Sequence, residues 1–217
     1  MAFPKTARRG IEKPDANSTG WDTAYHNMVD ILDKIGDLFN YRRVGATQDR
    51  WYCAGKLNNA ALSTGTPTAN VLRAIPFIVP YNTTLDQIAI NVTTLLTGKQ
   101  RLGIYSDDGN CHPGSRLLDA GEVDTGTTGV KSIAISQAIS AGTLLWIVVV
   151  GNAATTLRTL PVTSAIDMMG YDNTLGTAGG VGWSVSYTYA TLPATWPAGD
   201  SVITADPLPA VFVRASA

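Results

Sequence analysis

Residues 101–151 run RLGIYSDDGNCHPGSRLLDAGEVDTGTTGVKSIAISQAISAGTLLWIVVVG. Leu102 and Ile104 alternate with Gly103 and Tyr105, and Ile133 and Ile135 alternate with Ala134 and Ser136. That two-residue period belongs to strands with one apolar face, so each segment is expected to keep its other face wet. Leu144 to Val150 is instead an unbroken apolar run between Gly142 and Gly151, which suits a central strand covered on both faces. Asp107-Asp108-Gly109-Asn110 tolerates positive φ and reads as a hairpin tip, with Pro113-Gly114 closing the loop. The stretch therefore predicts an antiparallel β-sandwich with itself at the centre.

Outward from it, further strands are expected at 50–54, 71–79, 85–93, 117–123, 183–189 and 210–215, separated by Gly, Pro, Asn and Thr turns. Short strands at such spacing fit a sandwich or jelly roll over residues 50–217. Between Gly151 and Gly182 the pattern weakens, and residues 159–181 read as one long loop of the kind that tends to carry function.

Upstream the texture changes. Residues 1–18 hold two prolines, four basic side chains and little that is apolar, which reads as an extended arm, either ordered against a partner or loose. Residues 19–43 lack proline and place Trp21, Tyr25, Met28, Leu32, Ile35 and Phe39 at spacings of 4, 3, 4, 3 and 4. This heptad stripe predicts an amphipathic helix that packs against copies of itself or against its own chain's sheet.

Composition narrows the function classes. Of 217 residues, 16 are Lys or Arg and 17 Asp or Glu, a formal net charge of −1, and a nucleic-acid binder would show a basic excess. No apolar stretch approaches the ~20 residues of a membrane helix, so membrane insertion is not expected. The N-terminus MAFPKTARRG has no apolar region behind it, which predicts synthesis in a cytoplasm without a secretory leader. Cys53 and Cys111 are too few for a disulfide framework and are expected to be free thiols. Charged residues are only 15% of the chain against about 25% in ordinary domains; small neutral side chains take their place, as suits a long-lived assembly or a glycan-facing protein.

Catalytic chemistry is sparse. His26 and His112 are the chain's two histidines, and no ligand spacing for zinc exists. Cys111-His112 reads as exposed loop residues. Gly182-Trp183-Ser184-Val185-Ser186 lacks the second glycine of a nucleophile elbow, and no phosphate-binding glycine loop is present. Asp107 and Asp108 have the oxygens for calcium or acid–base work but are expected to shape the turn. Neither metal nor cofactor is expected, and the chain is not read as an enzyme. What remains is aromatic: Trp183, Tyr187, Tyr189 and Trp196 supply flat surfaces on which sugar rings stack, or they are core. Trp196, between prolines, is expected to be exposed.

The segments RWYCAGKLNNAALSTGTPTANVLRAIPFIVPYNTTLDQIAINVTT, RLGIYSDDGNCHPGSRLLDAGEVDTGTTGVKSIAIS and LGTAGGVGWSVSYTYATLP resemble a jelly-roll-like β-sandwich domain of tailed-bacteriophage structural proteins of the tail fibre or minor virion type. The resemblance rests on order and texture over residues 50–217 rather than on a catalytic signature. It implies a homotrimer on a virion, assembled in the host cytoplasm and attached to other virion proteins through residues 1–43. The sandwich would then face the host as a short fibre, head spike or tail-tip subunit and bind surface polysaccharide. The alternative is a capsid or tail decoration protein with a purely structural role.

Overall fold

The computed structural model describes residues 51–78, 82–171, 179–205 and 207–216. The arm at 1–18 and the stripe Trp21, Tyr25, Met28, Leu32, Ile35 and Phe39 lie outside the described residues.

Two sheets pack face to face, and every strand pair among the described residues is antiparallel. One sheet has seven strands: β1 (Trp51–Cys53), β2 (Ser63–Gly65), β4 (Thr83–Thr94), β7 (Gly129–Ile139), β9 (Thr156–Leu160), β12 (Leu208–Pro209) and β13 (Phe212–Ala215). Its spine is β4, which pairs with β7 and with both β13 and β9. The second sheet runs β11 (Ser201–Val202), β10 (Trp183–Ser186), β3 (Val71–Ile78), β8 (Leu144–Gly151), β5 (Lys99–Asp107) and β6 (Pro113–Asp124), in that order. Between the sheets lies an apolar core that includes Ile75, Phe77, Ile88, Ile90, Leu102, Ile104, Leu145, Ile147 and Val213. Burying each such side chain contributes about 1.5–3 kcal/mol, which is what fixes the register.

The apolar run behaves as its composition dictates. β8 sits between β3 and β5; Leu145, Ile147 and Val149 face the inter-sheet core, while Trp146, Val148 and Val150 join a second cluster on the sheet's outer side. β7 keeps the wet face expected of it, with Ser132, Ala134, Ser136 and Ala138 exposed and Ile133 and Ile135 packed inward.

β5 corrects the expectation of a wet face, because Tyr105 is fully buried. The chain after β10 folds back over this side, and Leu192 seats on Gly103. A Cβ at Gly103 would lie 2.3 Å from Leu192 Cδ1 and 2.5 Å from the Leu118 carbonyl oxygen, so the cover requires glycine there. β10 also ends at Ser186 rather than at 189. Its partner β3 begins at Val71, and beyond that point Asn70, in the left-handed region at φ 58°, takes over: its carbonyl accepts the Tyr187 amide and its Oδ1 the Tyr189 amide.

The 159–181 loop starts later than expected, since residues 156–160 form β9. After a 3-10 turn at Val162–Ser164, Ala165 bridges to Lys56 and the Ile166 amide bonds to the Gly55 carbonyl at 2.7 Å. Cys53 in β1 and Cys111 in the β5–β6 turn form no disulfide with one another.

Candidate functional site

The outer side of the six-stranded sheet gathers the chemistry. Residues 187–200 cross it, anchored along β6. The Arg116 amide bonds to the Ala194 carbonyl and the Trp196 amide to the Gly114 carbonyl, both at 2.9 Å. The Arg116 guanidinium caps the Leu192 carbonyl, and the Leu192 amide donates to Asp119 Oδ2 at 3.0 Å. Tyr105, from below, donates its hydroxyl to the Pro193 carbonyl at 2.5 Å.

All four sequence-nominated aromatics lie here, but as parts of a lid rather than an open platform. Trp196 is buried, at 8% exposure, which corrects the expectation of an exposed ring. Prolines on either side set its loop, but Tyr105 meets it edge-on from the sheet. Trp183, Tyr187 and Tyr189 are half-buried against the same cluster. The Tyr187 hydroxyl donates to the Thr191 carbonyl at 2.5 Å.

At the hairpin end the pieces interlock. Asp107 Oδ2 accepts the Gly109 amide and Asp108 Oδ1 the Asn110 amide, both at 2.8 Å. Asp107 Oδ1 also accepts Trp146 Nε1 at 2.9 Å. These carboxylates shape the turn, as the sequence suggested. Asp200 Oδ2 receives Trp196 Nε1 at 2.9 Å and lies 2.6 Å from His112 Nε2, whose ring stands edge-on to Trp183 with centroids 4.7 Å apart. Trp183 Nε1 donates to the Cys111 carbonyl at 3.0 Å. Cys111-His112 is thus part of the lid's fastening and not a free loop. Burial, followed by the Asp107 and Asp108 charges, pushes the Cys111 thiol up, the opposite of what an activated nucleophile needs.

At the other end of the lid is a polar rim. Arg101 holds both Asp119 oxygens, at 3.0 and 3.1 Å, and Glu122 Oε2 at 3.4 Å; Lys99 reaches Glu122 Oε1. The Tyr189 hydroxyl donates to Glu122 Oε2 at 2.8 Å, and the Arg101 guanidinium lies over the Tyr189 ring, 5.9 Å from its centroid. The hydrogen bonds from Lys99 and then Tyr189 hold the Glu122 carboxyl below its usual range. Burial and the bond to Glu122 push the Tyr189 phenol up to about 12. Among the described residues no cluster of three or more His, Cys, Asp or Glu is arranged to hold a metal ion.

Asn70 and Glu122 were not legible as partners of Tyr189, from which they are separated by 119 and 67 residues, nor Asp200 as a partner of His112, 88 residues away; its bond to Trp196 spans four residues within a loop that has no period to reveal it. The one local signal was Asn70, a residue type that tolerates the left-handed region, set just before a strand.

No family model and no curated protein matches the sequence. Among solved structures, the chain is similar to the cysteine protease and lectin-like domains of Cwp84, a surface layer associated protein of Clostridium difficile, at 12% identity and a TM-score of 0.40. The match covers 68% of this chain and 32% of that one.

Proposed function

We propose that the chain is a non-enzymatic surface protein of a tailed-phage virion, attached and trimerised through residues 1–43, whose sandwich displays a glycan-binding face. The reading draws on the sequence resemblance, on the small-polar composition and on one geometric observation. Tyr189 stands half-exposed beside Glu122, Lys99 and Arg101. An aromatic ring bordered by a charged donor–acceptor pair offers a sugar a stacking surface and partners for its hydroxyls. Of the other acids nearby, Asp119 and Asp200 are engaged in fastening the lid and Asp107 in holding Trp146 and the hairpin turn, and that favours binding over catalysis. Trp196 belongs to the core, so Tyr189 takes its place as the residue to test. A glycan array on the full chain, repeated with Tyr189→Ala, tests the reading; signal on some glycans that falls in the variant is expected. A silent array together with normal phage adsorption by the variant would remove it.

A decoration role is favoured by a separate observation. Leu95, Leu96 and Val130 are 55%, 45% and 63% exposed and lie at one end of the sandwich, where β4 pairs with the start of β7. Particles lacking the protein would then lose stability rather than adsorption.

A further inference from the structure

The inter-sheet core is apolar along most of its length and becomes polar where β3 begins and β8 ends. There Arg73 and Gln100 point between the sheets, on the same faces as Ile75 and Leu102, and line a shallow open pocket with Thr68, Val149, Gly151 and Pro209. The space it encloses is about 10 Å³, room for one water-sized group. One oxygen of a charged substituent can enter it from the open side, where a sugar ring cannot.

The donors in this pocket are under-used. Arg73 Nη1 donates to the Thr68 and Val71 carbonyls at 3.2 and 3.3 Å, and among the described residues no carboxylate pairs with it. Burial accordingly lowers its pKa, the sign of a cation that lacks its counter-charge. Gln100 is only 5% exposed, yet among the described residues its carboxamide makes one long bond, Nε2 to the Ala153 carbonyl at 3.4 Å. Room for that amide comes from Gly151, where a Cβ would lie 2.1 Å from Gln100 Nε2. The chain has thus given up a side chain to keep a nearly buried amide beside an unpaired guanidinium.

We infer that this pocket is an anion subsite, in which Arg73 and Gln100 hold the carboxylate of an acidic sugar. The assignment rests on the glycan-binding reading for its sugar; the pocket lies between the sheets and the Tyr189 rim on the outer side of the same sheet, with Asn70 bonded to both. Asn70 donates its amide to the Gly151 carbonyl at 2.8 Å on the pocket wall and holds the Tyr189 amide through Oδ1. Gln100 lies in β5 between Lys99 and Arg101, whose side chains face the opposite, outer side of the sheet. A guanidinium presents its donors as a planar fork that matches a carboxylate's two oxygens, and the Val149 and Pro209 walls keep the local dielectric low, which strengthens the pairing.

The test titrates isotope-labelled full-length protein with sodium glucuronate, glucose and inorganic sulfate at constant ionic strength. The readouts are the side-chain Nε–H resonance of Arg73, assigned by its loss in Arg73→Lys, and the Gln100 carboxamide N–H resonances, assigned by their loss in Gln100→Ala, so that each variant is read through the residue it retains. Glucuronate is expected to shift them saturably and glucose to leave them in place, with glucuronate affinity about tenfold weaker in Arg73→Lys and Gln100→Ala, the loss of roughly one charge-assisted bond. No saturable shift with glucuronate in the unmodified protein, or unchanged affinity in both variants, overturns the subsite. Saturation by sulfate but not by glucuronate overturns the carboxylate assignment. If the glycan array is silent while glucuronate still shifts Arg73, the subsite stands and the glycan-display reading falls; array binding with no glucuronate shift gives the reverse.

Discussion

Trp196 meets Tyr105 edge to face, ring centroids 5.8 Å apart and planes at 88°. One residue belongs to a loop and the other to β5, and between them they turn the outer side of the six-stranded sheet into a second core. Trp196→Ala removes the lid's largest anchor and orphans an Asp200 acceptor. Loss of about 3–5 kcal/mol of stability is expected, visible as a lower denaturant midpoint. A variant that keeps its midpoint but loses glycan binding would return Trp196 to the surface.

Gly103→Val pushes a side chain into Leu192 and the Leu118 carbonyl, one of which is backbone and cannot swing away. The expected cost is about 1–3 kcal/mol. If the lid rather than the sheet yields, hydrogen exchange at 190–196 rises while β5 and β8 stay protected.

Asn70→Ala loses the acceptor for the Tyr189 amide and strains a left-handed backbone, together about 2–4 kcal/mol. Faster exchange at the Tyr187 and Tyr189 amides is the specific sign, because both bonds end on Asn70. Protection equal to the unmodified chain would show that the lid holds without it.

The Tyr189 phenol is raised from 10.0 to about 12, by burial first and then by its bond to Glu122. A proton held more tightly in the folded chain than in the unfolded one stabilises the fold fully below pH 10, and that contribution is lost as pH rises through about 12. Stability is therefore expected to fall across that alkaline window, where the buried Tyr105, also raised, adds to the slope. Tyr189→Phe should flatten it; an unchanged slope would assign the effect to other groups.

The sandwich was legible in the sequence because its signals are local. β8 shows as seven apolar residues in a row, β7 as strict alternation, and the hairpin as Asp-Asp-Gly-Asn. β5 misled because alternation of Leu102 and Ile104 with Gly103 and Tyr105 looks the same whether the second face meets water or another layer of protein; what decides is Leu192, almost ninety residues away. β9 was missed because TLRTL is short and interrupted by Arg158. The site was legible only as residue types. Trp183, Tyr187, Tyr189 and Trp196 do share one side of the molecule, but which of them is wet depends on Asp200, Glu122 and Asn70, and hydrogen bonds between distant residues leave no periodic trace.

β1 joins the sandwich through three residue pairs, Trp51 to Cys53 against Arg214 to Phe212. Tension transmitted from residues 1–50 would enter at Trp51 and peel these pairs one after another instead of shearing a long ladder. β1 is then a mechanical fuse that yields at low force while β4 and β8 stay intact, and a single-molecule pull from the N-terminus should show a small first step before the main rupture.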